Sequence, residues 1–211
     1  RKRIIRHLNQ RSEMLSGISH DLRTPLTRLK LQIAMIKEKD LSNKMAENID
    51  DMEKMLNDYL EFASSQINVK SENFYLNNLI KNIISKYPNN KILFKSEIKI
   101  EITARYNSLK RCLTNLIDNG LTYGKKVEII LSKTMNNIII CIDDDGPGIK
   151  SEERANVFKP FYRIDKSRSQ NKSGVGLGLS IANDIVKSHG GTINLENSPK
   201  EGLRVMISLP S

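Results

Sequence analysis

Apolar residues recur at steps of three and four through the first third of the chain. Leu15, Ile18, Leu22, Leu26, Leu29, Ile33 and Ile36 make one stripe, and Leu41, Met45, Ile49, Met52, Leu56 and Tyr59 make a second. That spacing is the period of an amphipathic helix. Between the stripes, Lys37-Glu-Lys-Asp-Leu-Ser42 is a short polar break, with Ser42 the expected N-cap of the second helix. Two long helices with a short connection form an antiparallel hairpin. One hairpin has too little mass to bury its own stripe, whereas two hairpins from two copies of the chain bury both as a four-helix bundle. A homodimer is therefore expected.

After a polar linker from Ser64 to Asn73 the period changes. Phe74 to Tyr87 reads as helix, with Pro88 beyond its end, and Lys91 to Thr103 holds alternating runs such as Ile98-Lys-Ile-Glu-Ile102, a strand signal. Leu109 to Tyr123 is helical. Val127–Leu131 and Ile138–Ile142 read as strands, with a hairpin turn at Asn136-Asn137. Val175 to His189 is helical and closed by Gly190, and Thr192–Leu195 and Leu203–Leu209 are strands. The expected fold is an all-α dimerising hairpin over residues 1–67, followed over residues 68–211 by an α+β sandwich with helices layered on one sheet face.

Composition narrows the class. Of 211 residues, 38% are hydrophobic and 27% charged, as in a globular protein, and with aromatics at 5% the core must rest on aliphatic side chains. No apolar run approaches the roughly 20 residues that span a bilayer. Cys112 and Cys141 follow no metal-ligand spacing and read as reduced core thiols. The net charge of +10 and pI of 9.6 favour anionic partners. The lysines, however, are spread along the chain without aromatic interleaving, so no direct nucleic-acid role is expected. An ATP site or an acidic partner uses the same charge.

Four constellations carry chemistry. On the first helix, His20 is followed by Asp21, and Thr24 lies one turn later on the same face; Pro25 crowds the Asp21 carbonyl, so a local kink is expected. An imidazole with an ordinary pKa of about 6.5 is largely neutral at pH 7 and can act as a nucleophile. A neighbouring carboxylate can hold its other N–H, as in catalytic triads. The Thr24 hydroxyl can orient a water. Asn115 and Asn119 share a helix face, with Tyr123 beyond them, and amide oxygens can ligate Mg²⁺. Asp143-Asp-Asp-Gly-Pro-Gly-Ile149 follows a strand directly; a carboxylate there can accept the exocyclic amine of adenine, while acid, Gly and Pro also make an ordinary turn. Ser173-Gly-Val-Gly-Leu-Gly-Leu179 leads into a helix, where glycines admit a phosphate to helix N-terminal N–H groups. His7, in a basic stretch, and His189, at a helix end where partial positive charge suits the dipole, read as structural. No Walker motif and no eukaryotic kinase motif is present.

The order of these motifs resembles the bacterial two-component sensor histidine kinases. His20-Asp-Leu-Arg-Thr-Pro25 is similar to the H box, Asn115 to Tyr123 to the N box, and Asp144-Asp-Gly-Pro-Gly148 to the G1 box. Phe158-Lys-Pro-Phe161 is similar to the F box and Gly174 to Leu179 to the G2 box. Within the family, Gly17 to Arg28 is most similar to the EnvZ-type osmosensor kinases.

The resemblance implies a dimerisation and phosphoacceptor hairpin, then a Bergerat-type ATP-binding domain using ATP and Mg²⁺. It implies His20 as phosphoacceptor, Asp21 as its base and Thr24 as the residue for hydrolysis of a partner's phosphoaspartate. Asn119, supported by Asn115, would hold Mg²⁺. Asp144 would contact adenine, with Tyr123 beside the base and Gly146 and Gly148 shaping the loop. Phe158, Gly174, Gly176, Leu177 and Gly178 would complete the site. Tyr162–Ser173 would be a lid, with Arg163, Lys166, Arg168 and Lys172 as phosphate contacts. It further implies a response regulator with an OmpR-like receiver domain as partner, and a cytoplasmic position in an inner-membrane protein whose sensor and membrane segments lie upstream. Three positions depart from the family pattern: Thr122 stands where a basic residue is usual, Gly120 where alanine is usual, and Ser173 where glycine is common. Lys125 or Lys126 is the expected substitute for the missing phosphate contact.

Overall fold

A computed structural model of the chain describes residues 24–36, 38–64, 70–88, 91–164 and 176–211. The chain divides into two compact units, residues 1–68 and, apart from residues 173–175, residues 69–211. No helix among the described residues is long and apolar enough to cross a membrane.

In the first unit, helical residues 24–34 (α1) and Lys39–Ser64 (α2) are the two arms of the hairpin. Leu26 and Ile33 lie two turns apart on one face of α1 and are buried with Ile49 of α2; Ile36, Ala46 and Leu56 pack against them. Lys30 of α1 reaches Asp50 at 2.6 Å and Glu53 at 2.7 Å across the hairpin. Among the described stripe residues, Leu29, Leu41, Met45 and Met52 stay exposed. Ser42 is not the N-cap. The second arm starts at Lys39, and the Ser42 hydroxyl donates to the Ile33 carbonyl at 2.9 Å. It thereby adds a second donor to a carbonyl at the end of α1 that also accepts the Ile36 N–H at 3.0 Å.

The second unit is built on a five-stranded sheet ordered β2-β4-β5-β7-β6, formed by Ile92–Ser96 (β2), Val127–Lys133 (β4), Asn137–Asp144 (β5), Thr192–Asn197 (β6) and Leu203–Pro210 (β7). The β2–β4 pair is parallel and the others antiparallel. A separate antiparallel pair joins Glu72–Tyr75 (β1) to Glu101–Ala104 (β3). Along β7, buried Leu203, Val205, Ile207 and Leu209 alternate with half-exposed Arg204, Met206 and Ser208, so one sheet face is covered and the other largely open. The cover is three helices, Leu76–Ile84 (α3), Tyr106–Tyr123 (α4) and Gly178–Ser188 (α5), whose apolar faces meet Ile129, Leu131, Ile140 and Val205 in the core. The expected α+β sandwich with helices on one face is the fold observed.

Several local expectations are corrected. Phe74 and Tyr75 are strand, and the helix starts at Leu76, because Phe74 pairs with Ile102 across the small sheet and stacks edge-on against Tyr106 with ring centroids 5.0 Å apart. The helix expected from Val175 starts at Gly178. The β4–β5 turn centres on Met135 and Asn136, since the Thr134 N–H donates to the Asn137 carbonyl at 2.8 Å and the Asn137 N–H to the Thr134 hydroxyl at 3.1 Å. Cys112 is a buried thiol whose pKa burial pushes up to about 12, but Cys141 is only half-buried, on the open face of the sheet. His189 is neutral rather than partly charged. Its Nδ1 lies 2.7 Å from the Ile185 carbonyl, its Nε2 accepts the Arg105 N–H at 3.2 Å, and burial lowers its pKa. An Nε2 that accepts requires the proton on Nδ1.

Candidate functional site

The long helix α4 organises the site. Asn115 and Asn119 are one turn apart, both half-buried, and Gly120 beside them is fully buried. The absence of a side chain at Gly120 is required by packing: a Cβ there would stand 2.8 Å from Val127 Cγ2 and 3.5 Å from Asp144 Cβ. Asn119-Gly120 is thus a place where helix and strand approach closely, not a turn. Tyr123 ends the helix, and 47% of its surface is exposed.

Asp144, the last residue of β5, is buried at 5% exposure. Its Oδ1 accepts two backbone N–H groups, from Gly146 at 2.8 Å and from Leu203 at 3.0 Å. Neither bond uses Oδ2, which lies on the Gly120 side. Burial raises the Asp144 pKa, and the two backbone donors oppose that rise. The following loop is fixed at each step. Gly146 lies against the main chain of Tyr123, where a Cβ would be 3.1 Å from its carbonyl. Asp145 accepts the N–H groups of Lys125 at 2.6 Å and Lys126 at 2.9 Å. Gly148 has a φ of +70°, a conformation that costs glycine nothing. Arg154 then ties the loop to β6, donating to the Ile149 carbonyl at 3.1 Å and the Leu195 carbonyl at 3.2 Å.

The start of α5 closes the other side. Gly178 packs beside Asn115, with space for a Cβ only 3.9 Å from Asn115 Cβ. Leu177 is the N-cap of the helix and is buried, and its side chain makes no capping hydrogen bond. Gly176, at φ +76°, lies against the carbonyl of Tyr162, and its own carbonyl accepts the Phe161 N–H at 3.0 Å. Phe161 itself holds a φ of 64°, unusual for a residue with a side chain. Phe158 ends the short 3₁₀ turn Asn156–Phe158, which packs on α5, and Arg163 lies five residues further on, half-buried.

Asn115, Asn119, Tyr123, Asp144, Gly146, Gly176, Leu177 and Gly178 are therefore brought together in one unit, with Gly148, Phe158 and Arg163 on the loops that border them. Thr24 is exposed on α1 in the other unit. His20, Asp21, Gly174, Lys166, Arg168, Lys172 and Ser173 lie outside the described residues, as does the carbonyl that Pro25 would crowd. The Thr122 hydroxyl is turned back onto its own helix, donating to the Asp118 carbonyl at 2.7 Å. Lys126 lines a cavity of about 330 Å³ with Lys91, Lys200, Glu128 and Asp143. The described residues hold no group of three His, Cys, Asp or Glu side chains placed for a metal. A metal such as Mg²⁺, which takes few protein ligands and keeps phosphate oxygens and waters, fits an amide donor like Asn119 better than an all-protein cage.

Gly202 and Leu203 were not singled out from the sequence. The Leu203 bond to Asp144 spans 59 residues. The only local signal is a lone glycine immediately before a strand, which marks close backbone approach.

Comparison with known proteins bears on this arrangement. Residues 104–211 match the family described as "Histidine kinase-, DNA gyrase B-, and HSP90-like ATPase", and residues 10–67 match "His Kinase A (phospho-acceptor) domain". Sensor histidine kinase GtrS of Pseudomonas aeruginosa is 34% identical over 99% of this chain and 44% of its own length. Sensor histidine kinase CpxA of Escherichia coli is 33% identical over 97% of this chain and 48% of its own. The chain thus spans about half the length of these relatives. Among solved structures, the ATP binding domain of PrrB from Mycobacterium tuberculosis is 25% identical, with a TM-score of 0.57 over 68% of this chain and 98% of that one.

Proposed function

The chain belongs to the two-component sensor histidine kinases, and on that premise we propose that residues 68–211 bind ATP with Mg²⁺ and that the γ-phosphoryl is transferred to His20 in the hairpin of residues 1–67. The observation that carries this reading is the convergence on α4, where Asp144 meets Gly120, Gly146 meets Tyr123 and Gly178 meets Asn115.

Each side chain then has a task. Oδ1 of Asp144 is occupied by the Gly146 and Leu203 N–H groups, so Oδ2 faces the ligand. An ionised carboxylate there accepts the exocyclic amine of adenine and repels the carbonyl that guanine presents. Tyr123 flanks the base. The N–H groups at the start of α5, which the Leu177 side chain does not cap and which are approached through Gly174, Gly176 and Gly178, receive phosphate oxygens. Asn119, with Asn115 one turn before it, holds Mg²⁺, which supplies charge neutralisation at the phosphates. Phe158 anchors the F-box turn on α5, and Arg163 begins the lid over the phosphates. Of the two lysines that follow α4, Lys126 lines the cavity shared with Asp143, and Lys125 is the better placed to replace the basic residue missing at Thr122.

In the transfer step a ring nitrogen of neutral His20 forms a bond to the γ-phosphorus as the bond to the β–γ bridging oxygen breaks and ADP leaves. Asp21 holds the other ring N–H and the positive charge that develops. Catalysis is chiefly positioning and charge stabilisation. The phosphoryl group next passes to an aspartate of a response regulator, with an OmpR-like receiver domain as the proposed partner. In the opposite signalling state, Thr24 orients a water for hydrolysis of that phosphoaspartate. The exposed Leu29, Met45 and Met52 support pairing of two hairpins as a homodimer. In this reading the described portion faces the cytoplasm in an inner-membrane protein.

A second reading, nucleotide binding without turnover, draws on Thr122, whose hydroxyl is engaged by Asp118. Calorimetric titration with a non-hydrolysable ATP analogue and Mg²⁺ tests the shared part of both readings. Wild type binds; Asp144→Asn and Asn119→Ala each lose about tenfold or more in affinity, the scale of one charge-assisted or metal contact. Unchanged affinity in both variants would rule out this site.

A further inference from the structure

Asp143 and Arg204 stand back to back with the adenine-reading acid. Asp143 is almost wholly buried at 2% exposure, and Arg204 grips it with two parallel bonds, Nε to Oδ1 and Nη2 to Oδ2, both 2.7 Å. We propose that Arg204, through Asp143, is a positioning residue for nucleotide recognition: it fixes the start of β7 so that the Leu203 N–H stays on Oδ1 of Asp144 and keeps Oδ2 aimed to tell adenine from guanine. The inference rests on the reading of Asp144 as the adenine contact.

Five features of the structure support it. Asp143 and Arg204 are direct cross-strand partners and form the last registered pair of the β5–β7 ladder. Beyond that pair the strands are joined at Asp144 by its own side chain, through the Leu203 N–H. Successive strand residues point to opposite faces, so the clamp occupies the open face while Asp144 reaches Gly120 on the helix-covered face. The two groups share the 143–144 and 203–204 peptide bonds, which leave little slack between them. Finally, Gly202 fits so closely against Asp144 that a small slip of β7 along β5 drives backbone into the carboxylate.

The form of the pair argues against a role in stability alone. A buried ion pair contributes little over an apolar pair of the same size. What a guanidinium–carboxylate fork adds is orientation, since it sets an angle as well as a distance. Lysine keeps the charge and loses the fork. Glu196 on β6 faces Arg204 from the other side, so the guanidinium is bracketed by acids across three strands.

The test compares binding of non-hydrolysable ATP and GTP analogues by the whole 211-residue chain. The variants are Arg204→Lys, the apolar pair Asp143→Leu/Arg204→Leu, and Asp144→Asn, each with its thermal midpoint. The expected result for Arg204→Lys is a loss of about tenfold in ATP-analogue affinity with GTP-analogue affinity within about twofold, so that the preference collapses. The apolar pair keeps a midpoint near wild type and loses the same preference, which separates aiming from folding. Wild-type preference retained in both Arg204 variants would overturn the inference while leaving the Asp144 reading intact. Wild-type preference retained in Asp144→Asn would overturn that reading and this inference with it.

Discussion

Gly202 lies so close to Asp144 that a Cβ on it would stand 2.2 Å from the Asp144 carbonyl oxygen and 2.4 Å from its Oδ1. No side chain can occupy that space without moving backbone. Gly202→Ala is therefore expected to displace Asp144 and Leu203 together. Stability should fall by roughly 1–3 kcal/mol, the usual cost of overpacking, and ATP-analogue affinity should fall with it. Urea unfolding and calorimetric titration measure the two; wild-type values in both would show that the strands separate at no cost.

Asp144→Asn should part stability from binding. Burial raises the Asp144 pKa, so the ionised form is disfavoured in the fold. A group with a raised folded pKa contributes stability below its unfolded value, about 3.9 for Asp, and loses that contribution as pH rises through the folded value. At neutral pH the charge is a cost. Asparagine removes the charge and can still accept the Gly146 and Leu203 N–H groups. The variant's thermal midpoint at pH 7 is expected to equal or exceed that of wild type, with the difference closing in acid, while nucleotide affinity falls. A clearly lowered midpoint at pH 7 would contradict this.

His189 should make the second unit acid-sensitive. Its pKa is lowered by burial, and its Nε2 must accept the Arg105 N–H. A depressed folded pKa means that the contribution is complete above the unfolded value of about 6.5 and is lost as pH falls through the folded value. Protonation turns Nε2 into a donor facing a donor at the N-terminal end of α4, the helix that carries Asn115 and Asn119. The unfolding free energy of wild type minus that of His189→Gln should shrink between pH 7.5 and pH 5. A constant difference would remove His189 from the explanation.

Gly120→Ala tests whether packing or propensity rules α4. Alanine in a helix interior is favoured over glycine by roughly 1 kcal/mol. Against that, the new Cβ would stand 2.8 Å from Cγ2 of Val127, a buried, β-branched side chain with few alternative rotamers. The thermal midpoint is expected to fall. A rise would mean that Val127 and β4 yield easily, and that the position tolerates the family's usual alanine.

What could be read from the chain divides by distance along it. The described parts of the hairpin stripes and the β4, β5 and β7 strands are legible because a helical or alternating period is local, and the motifs of Asp144, Asn119 and Gly176–Gly178 stand out because each is contiguous. Ser42 was misread because its hydroxyl answers Ile33, nine residues back, and Phe74 because its strand partner Ile102 follows a whole helix later. The Arg204 clamp lies 61 residues from Asp143, and nothing in Leu203-Arg204-Val205 distinguishes it from any strand carrying one exposed cation. His189 was placed correctly at a helix end, but its neutral state depends on Arg105, 84 residues away.

The central claim is phosphoryl transfer from ATP to His20, and the most direct measurement is incubation of the chain with γ-labelled ATP and Mg²⁺, wild type beside His20→Gln. The label should be stable to base, labile to acid and absent from His20→Gln. Equal labelling of the variant, or no labelling of a wild type shown by titration to bind the nucleotide, would contradict it.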